Sequence, residues 1–238
     1  MKIELDTHTH TIASGHAYSS LNEMAFAASE KGLKYLATTD HGPAMPGGAH
    51  LYHFHNLRII PEYLYGVRIL RGIEANIVNY LGELDINIDT LKQLDVVIAS
   101  FHAPCIGTSN LKRTTDALLN LMENPYVDII GHPEDRRYSF DVKSVVKAAK
   151  KNKKLLEVNN SSLLPTSFRE GCREGYIKIL EECAAEDLPI IMGSDAHHTS
   201  SVGRFDMALG LINEIDFPKE LIMNSSGEKF LKYRGKLK

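Results

Sequence analysis

Residues 94–102 read LDVVIASFH. Leu94–Ser100 is a short apolar run carrying two valines and an isoleucine, the composition of a buried strand. It stops at Ser-Phe-His, and His102 stands just past its end. The same shape recurs along the chain. Strand-like runs fall at Ile3–Asp6, Leu33–Thr39, Arg68–Glu74, Val127–Gly131, Lys154–Asn159 and Pro189–Gly193. Helical spacing fills the intervals at Ser20–Lys31, about Phe54–Gly66, Thr114–Glu123, Val142–Lys151 and Gly171–Glu186, and two more helices follow the last strand. Ser20 with Glu23 makes a capping box, and Gly32 stops that helix. Short apolar runs alternating with amphipathic helices predict parallel strands joined by crossover helices.

Seven strand–helix units fill the 238 residues evenly, with no linker or low-complexity segment between them. An open doubly wound sheet and a closed barrel both fit this rhythm. The length is close to the roughly 250 residues of an eight-unit barrel, so the expectation is a single-domain, barrel-like α/β fold over 1–238. Gly82–Leu84 lies between two alternating runs and reads as a small rim hairpin.

Composition narrows the function classes. Apolar residues make up 43% and charged residues 24%, ordinary values for a globular protein. A net charge of −3 disfavours a broad nucleic-acid surface. No apolar run approaches membrane-spanning length, and the N-terminus does not read as a signal peptide. Cys105, Cys172 and Cys183 are far apart, without Cys-x-x-Cys, and read as reduced, packed thiols of a cytoplasmic protein.

The metal-type residues sit where the strands end. His8, His10 and His16 follow the first, Asp40-His41 the second, and Glu74 closes the third. His102 follows the fourth, His132 the fifth, and Asp195 with His197 the seventh. In a parallel α/β barrel all strand C-termini open on one face, so these residues should converge. Burying that many titratable groups without a cation costs several kcal/mol. A multinuclear metal site removes that cost.

With these residues in place, the chain resembles a known family. The His-x-His after the first strand, Thr39–His41, Gly72–Asn76, Gly131–Pro133 and Gly193–His197 are similar to the motifs of the PHP family, the polymerase and histidinol phosphatase domain. The likeness runs over essentially the whole chain. It is nearest the YcdX-like stand-alone phosphatases, through Gly47–Ala49 and Glu157–Ser162. The resemblance implies a distorted (β/α)7 barrel with three divalent metal ions, zinc foremost. It implies His8, His10, Glu74 and Asp195 on the first ion, Glu74, His102 and His132 on the second, and His16, His41 and His197 on the third. It also implies a trimer.

Imidazole with a few carboxylates suits zinc, manganese or iron. Two such ions bridged by Glu74 generate a hydroxide near neutral pH, and the expected reaction is its in-line attack on a small phosphomonoester. Asp195 doubles as a proton carrier. Arg169 and Arg204 are candidate phosphate forks, and His53 a candidate substrate contact. Asp6 is either a partner that orients an imidazole or a surface carboxylate at the strand end. His50 and His55 read as parts of a rim loop, and His198 as pointing away from the site. Asn159-Asn160 could bond substrate or close the barrel mouth. Lys147–Lys154 and Lys229–Lys238 read mostly as solvated faces or tail.

Rival readings are a histidinol-phosphate phosphatase, a phosphodiesterase or exonuclease of the same family, an amidohydrolase-like C–N hydrolase, and a non-catalytic metal-loaded binding module. The amidohydrolase reading lacks its bridging lysine, because the fourth strand ends in Ala-Ser-Phe-His.

Overall fold

The structure, a computed structural model, describes residues 1–169 and 171–235. The last residues of the Lys229–Lys238 run lie outside them. All seven sequence runs become parallel strands, six of them trimmed at their ends and the third lengthened at both. They are β1 (Leu5–Asp6), β2 (Tyr35–Thr38), β4 (Val67–Asn76), β5 (Val96–Ser100), β6 (Ile129–Ile130), β7 (Leu155–Asn159) and β8 (Ile190–Gly193), hydrogen-bonded in that order. The extra strand β3 (Tyr63–Leu64) pairs antiparallel with β4. Outside the strands lie α1 (Leu21–Glu30), α2 (Leu51–Asn56), α3 (Ile88–Leu91), α4 (Leu111–Met122), α5 (Val142–Lys151), α6 (Cys172–Ala185), α7 (Asp206–Glu214) and α8 (Gly227–Tyr233). The Ser20–Glu23 capping box forms as read. The rim hairpin forms as well, with Ile77 bridged to Leu84 and Val78 N–H donating to Glu83 O at 2.9 Å.

The helix expected over Phe54–Gly66 does not run that far. Helix α2 is followed by a short 3-10 turn at Leu57–Ile59, and the chain then turns into the β3–β4 hairpin. Two local features enforce this. Pro61 disfavours helical backbone at Ile60, which is extended (φ −66°, ψ 130°). Tyr65 and Gly66 take φ of 51° and 77°, as a two-residue hairpin loop requires.

The barrel closes between β8 and β1 by two devices. At the C-terminal end Thr9 bridges Ala196, with His10 N–H donating to Ala196 O at 2.8 Å. At the N-terminal end the Asn224 side chain stands in for a peptide. It accepts from Met192 N–H (2.7 Å) and donates to Leu5 O (2.9 Å) and Met192 O (2.8 Å).

Strand alternation sorts the core. Leu70, Val96, Ile98, Ile129, Leu155 and Ile191 face inward and pack with Met223, Phe230 and Leu231, so α8 plugs the lower end. Ile73, Ala75, Val97, Ala99, Leu156 and Val158 belong to the larger core beneath the helices. The inward rows turn polar further along. Leu70 is followed on the same face by Gly72, Glu74 and Asn76, and Leu155 by Glu157 and Asn159. Lys154 is an exception to the solvated reading of its run: it is buried and donates to Asn124 O (2.6 Å) and Val127 O (2.8 Å).

Candidate metal centre

Glu74 is fully buried at the polar end of β4. Its Oε1 lies 2.9 Å from His132 Nε2, 3.2 Å from His102 Nε2 and 3.4 Å from His8 Nε2. Its Oε2 lies 2.7 Å from His41 Nδ1 and 3.6 Å from His10 Nε2. Asp195 Oδ1 faces His10 Nε2 at 3.2 Å, His197 Nδ1 at 3.5 Å and His8 Nε2 at 3.6 Å. His16 Nε2 is 3.3 Å from His41 Nε2. Every residue of the expected ligand set therefore converges on one end of the barrel.

Among the described residues, several of these atoms find no hydrogen-bond partner. They are His8 Nε2, His10 Nε2, His41 Nδ1 and Glu74 Oε2, all buried. His41 Nδ1 and Glu74 Oε2 are only 2.7 Å apart, yet not aligned for a hydrogen bond. Each orphaned buried polar atom costs about 1–3 kcal/mol. Converging imidazole nitrogens and carboxylate oxygens, several of them without a hydrogen-bond partner, fit a divalent cation, and the donor chemistry suits zinc, manganese or iron. Among the described residues, three sets have ligand atoms within 4.8 Å of one another: His8–His10–Glu74, His41–Glu74–His102 and His10–His41–His197.

Electrostatics favours the ligating forms. Burial, with His41 and His197 nearby, holds His10 well below the ordinary histidine value, and burial brings His102 down to about 4. Burial alone would raise the Glu74 carboxyl, but His102, His8 and His41 overcome it and hold it well below its usual value. Asp195 is likewise lowered against its burial, chiefly by His8 and His10. His8 moves the other way: burial opposes its proton, but Glu157, Glu74 and Asp195 raise it well above the usual value.

A surrounding layer fixes the rings. His8 Nδ1 is 2.7 Å from Glu157 Oε1, whose other oxygen accepts from His132 N–H at 2.8 Å. A side chain at Gly193 would collide with the Glu157 carboxylate, so glycine lets it lie against β8. His102 Nδ1 is 2.7 Å from Asn76 Oδ1. Asp40 accepts from Thr11 N–H and Ser14 Oγ, both at 2.7 Å, which pins the first loop against β2. His132 and Asp195 hold φ of 27° and 55°, uncommon for side-chain-bearing residues, at the points where two strands release their ligands. Sequence reasoning missed Glu157 and Asn76 as ring partners. Their inward register, in step with Leu155 and Leu70, was the available signal.

Other expectations resolve differently. Asp6 touches no imidazole ring. It is buried, and it accepts backbone N–H from Ser194 (3.1 Å), His8 (3.3 Å) and Gly203 (2.9 Å) across the β1–β8 seam. Arg204 turns to Asp206 (Nε–Oδ1 2.9 Å) and is not a cavity wall, because a carboxylate two residues on captures it in solvent. His53 lies outside the cavity too, with Nε2 3.4 Å from Asp40 Oδ2. His50 caps α2, and His55 Nε2 meets Thr90 Oγ1 at 2.8 Å. His198 does line the cavity, contrary to the reading that it points away. Asn159 Nδ2 donates to Asp195 Oδ2 at 3.1 Å, and Asn160 Oδ1 accepts from Met207 and Ala208 N–H at the start of α7. Arg169 lines the cavity, donates to Ser162 Oγ at 2.7 Å and approaches Asp195 Oδ2 to 3.9 Å. The cavity above the cluster measures about 760 Å³. Among the described residues, no helix is long and apolar enough to cross a membrane.

Comparison with known proteins places this arrangement. The PHP domain family model matches residues 6–163. A protein named probable phosphatase from Acetivibrio thermocellus is 51% identical over 98% of this chain and 95% of its own length. The histidinol phosphate phosphatase of Lactococcus lactis, solved with zinc, L-histidinol and phosphate, superposes with a TM-score of 0.58 at 16% identity, covering 90% of this chain and 94% of that one. A chain from archaeal ribonuclease P with mature tRNA superposes at 0.63 and 15% identity, covering 97% and 90%. At such identities the two structures speak to the fold alone.

Proposed function

The chain belongs to the PHP family, and from that premise we propose that it is a metal-dependent phosphatase that hydrolyses a small phosphomonoester at a site built for three divalent ions, zinc foremost. The observation that carries this reading is the set of orphaned donor atoms around Glu74 at the floor of the cavity. The proposed sets are His8, His10, Glu74 and Asp195; Glu74, His102 and His132; and His16, His41 and His197. Bound divalent ions lower the pKa of water towards neutrality and neutralise phosphate oxygens.

The protein's own groups do the rest. Glu74 offers one carboxylate oxygen to each side of the cluster and joins two of the sets. Glu157 holds the Nδ1 proton of His8, so that Nε2 faces the cluster with its lone pair. Arg169, buried and braced by Ser162, orients the phosphate with its guanidinium fork. Asp195 keeps Oδ2 on the Asn159 side, where the ionised carboxylate can take a proton from the attacking water and pass it to the leaving alkoxide oxygen. The apolar walls of the cavity limit water around the phosphate. The chain works in the cytoplasm with its thiols reduced, as a trimer, the state to be checked by light scattering.

The test pairs elemental mass spectrometry with hydrolysis of an aryl phosphate on chelator-free protein. Near three ions per chain and chelator-sensitive phosphate release are expected. Protein that takes up no metal on reconstitution refutes the reading.

A further inference from the structure

A phosphate group fills only a small part of a cavity of about 760 Å³. The remaining space must suit the alcohol that carries the phosphate, and its walls differ from its floor. Met45 and Pro46 come from the loop after β2, Phe101 and Pro104 from the end of β5, and Leu164 and Phe168 from the loop after β7. Phe101 is rigid, stacked on Tyr138 with ring centroids 4.7 Å apart and planes 9° apart.

Phe168 is the unusual wall. It is 74% exposed at the cavity, so burial does not hold it. Two guanidiniums do: the Arg137 and Arg169 carbons lie 5.4 and 5.2 Å from its ring centroid. Both arginines are themselves fixed. Asp135 grips Arg137 through Nε (2.9 Å) and NH2 (2.5 Å), and Ser162 accepts from Arg169. The protein thus presents a positioned aromatic surface to whatever occupies the cavity.

Charge adds a second constraint. Among the described residues the carboxylates lining the cavity are Glu74 and Asp195, both within the metal cluster. Its other charged walls are Arg137 and Arg169, and the nearby Asp135 is already engaged by Arg137. An ammonium on the alcohol would meet no described carboxylate outside the cluster, and would face two guanidiniums.

We propose that the site selects phosphomonoesters of neutral alcohols bearing an aromatic or other planar apolar group, which stacks on Phe168, and discriminates against aminoalkyl phosphates, histidinol phosphate included. This rests on the phosphatase reading above and names its substrate class. Phe168 acts as the specificity residue. Arg137 positions the ring and does not itself bind phosphate.

The experiment compares kcat/KM for 2-phenylethyl, glycerol and 2-aminoethyl phosphates on zinc-loaded protein. All three are alkyl esters, so their alkoxides leave with similar ease. The expected order is phenylethyl, glycerol, aminoethyl, with about a tenfold preference for the first over the second. F168A should collapse the phenylethyl-to-glycerol ratio towards one, chiefly through KM, and F168Y should restore it. Thermal melting confirms that each variant is folded. Equal kcat/KM for all three esters, or a ratio unmoved by F168A, overturns the substrate class and leaves the phosphatase standing. Hydrolysis of none of the esters by metal-loaded protein brings down the phosphatase reading, and this proposal with it.

Discussion

The two ends of the barrel are built from the same strand rows with opposite chemistry. At the lower end the inward residues are aliphatic, and α8 closes the opening with Phe230 and Leu231. The charges there are paired: Arg234 Nε meets Asp128 Oδ1 at 2.8 Å, and its NH2 donates to Val127 O. At the upper end the inward residues are His, Glu, Asn and Asp, and several of their atoms have no partner. One end has its charges paired; the other turns unpartnered donor atoms towards one another, the arrangement that suits bound cations. Stability should therefore respond to the lower end, and metal affinity to the upper end.

E74Q gives the largest expected effect. It alters the group that two of the proposed ligand sets share and removes a buried negative charge at the centre of the cluster. Activity should fall by roughly a hundredfold or more, beyond the loss typical of an outer partner. Metal content measured on the same sample should fall with it, and H10A should lose first-set metal and activity while circular dichroism stays native. Full activity and metal in H10A would remove His10 from the proposed ligands. E157Q comes next. It retains the shape but weakens the hold on the His8 Nδ1 proton, so metal affinity measured by chelator competition should drop about 10- to 100-fold. An unchanged affinity would reduce Glu157 to a packing role.

The barrel was legible because each strand run and its terminal residue sit together in the sequence. LDVVIASFH gives both a strand and the His102 that follows it. The convergence of His8, Glu74 and Asp195 followed from topology alone, since parallel strands share a face. What stayed hidden was set by contacts distant in sequence. Glu157 reaches a ring 149 positions away. Phe168 packs under Arg137, 31 positions away, as well as its neighbour Arg169, and no periodicity encodes that. The β3–β4 hairpin was masked by apolar spacing that suits a helix until Pro61 and the Tyr65-Gly66 turn are weighed. Arg204 shows the converse failure: an arginine after a barrel strand reads as a phosphate fork, and the neighbouring Asp206 decides otherwise.

The lower end of the barrel has its own test. R234M leaves the buried Asp128 carboxylate without its guanidinium, and removing one partner of such a pair costs about 3–5 kcal/mol. The melting temperature should fall clearly while metal content per folded chain stays unchanged. A loss of metal in R234M would mean that the two ends are coupled.

N160A sharpens the comparison from the other side, with a smaller effect. Asn160 is at the mouth, next to Asn159, which bonds Asp195. Its own side chain instead accepts from Met207 N–H (2.9 Å) and Ala208 N–H (3.1 Å) and supplies the cap that α7 lacks locally, since Phe205 makes none. Removing that oxygen leaves backbone donors unsatisfied and should cost about 1–3 kcal/mol of stability by denaturant unfolding. Metal affinity should hold, because β7 ends at Asn159 and the Asn160 side chain turns to the start of α7 instead of to the cluster. If N160A instead weakens metal binding as much as E157Q does, position at the mouth matters more than the partner a side chain bonds, and the α7 cap is coupled to the cluster.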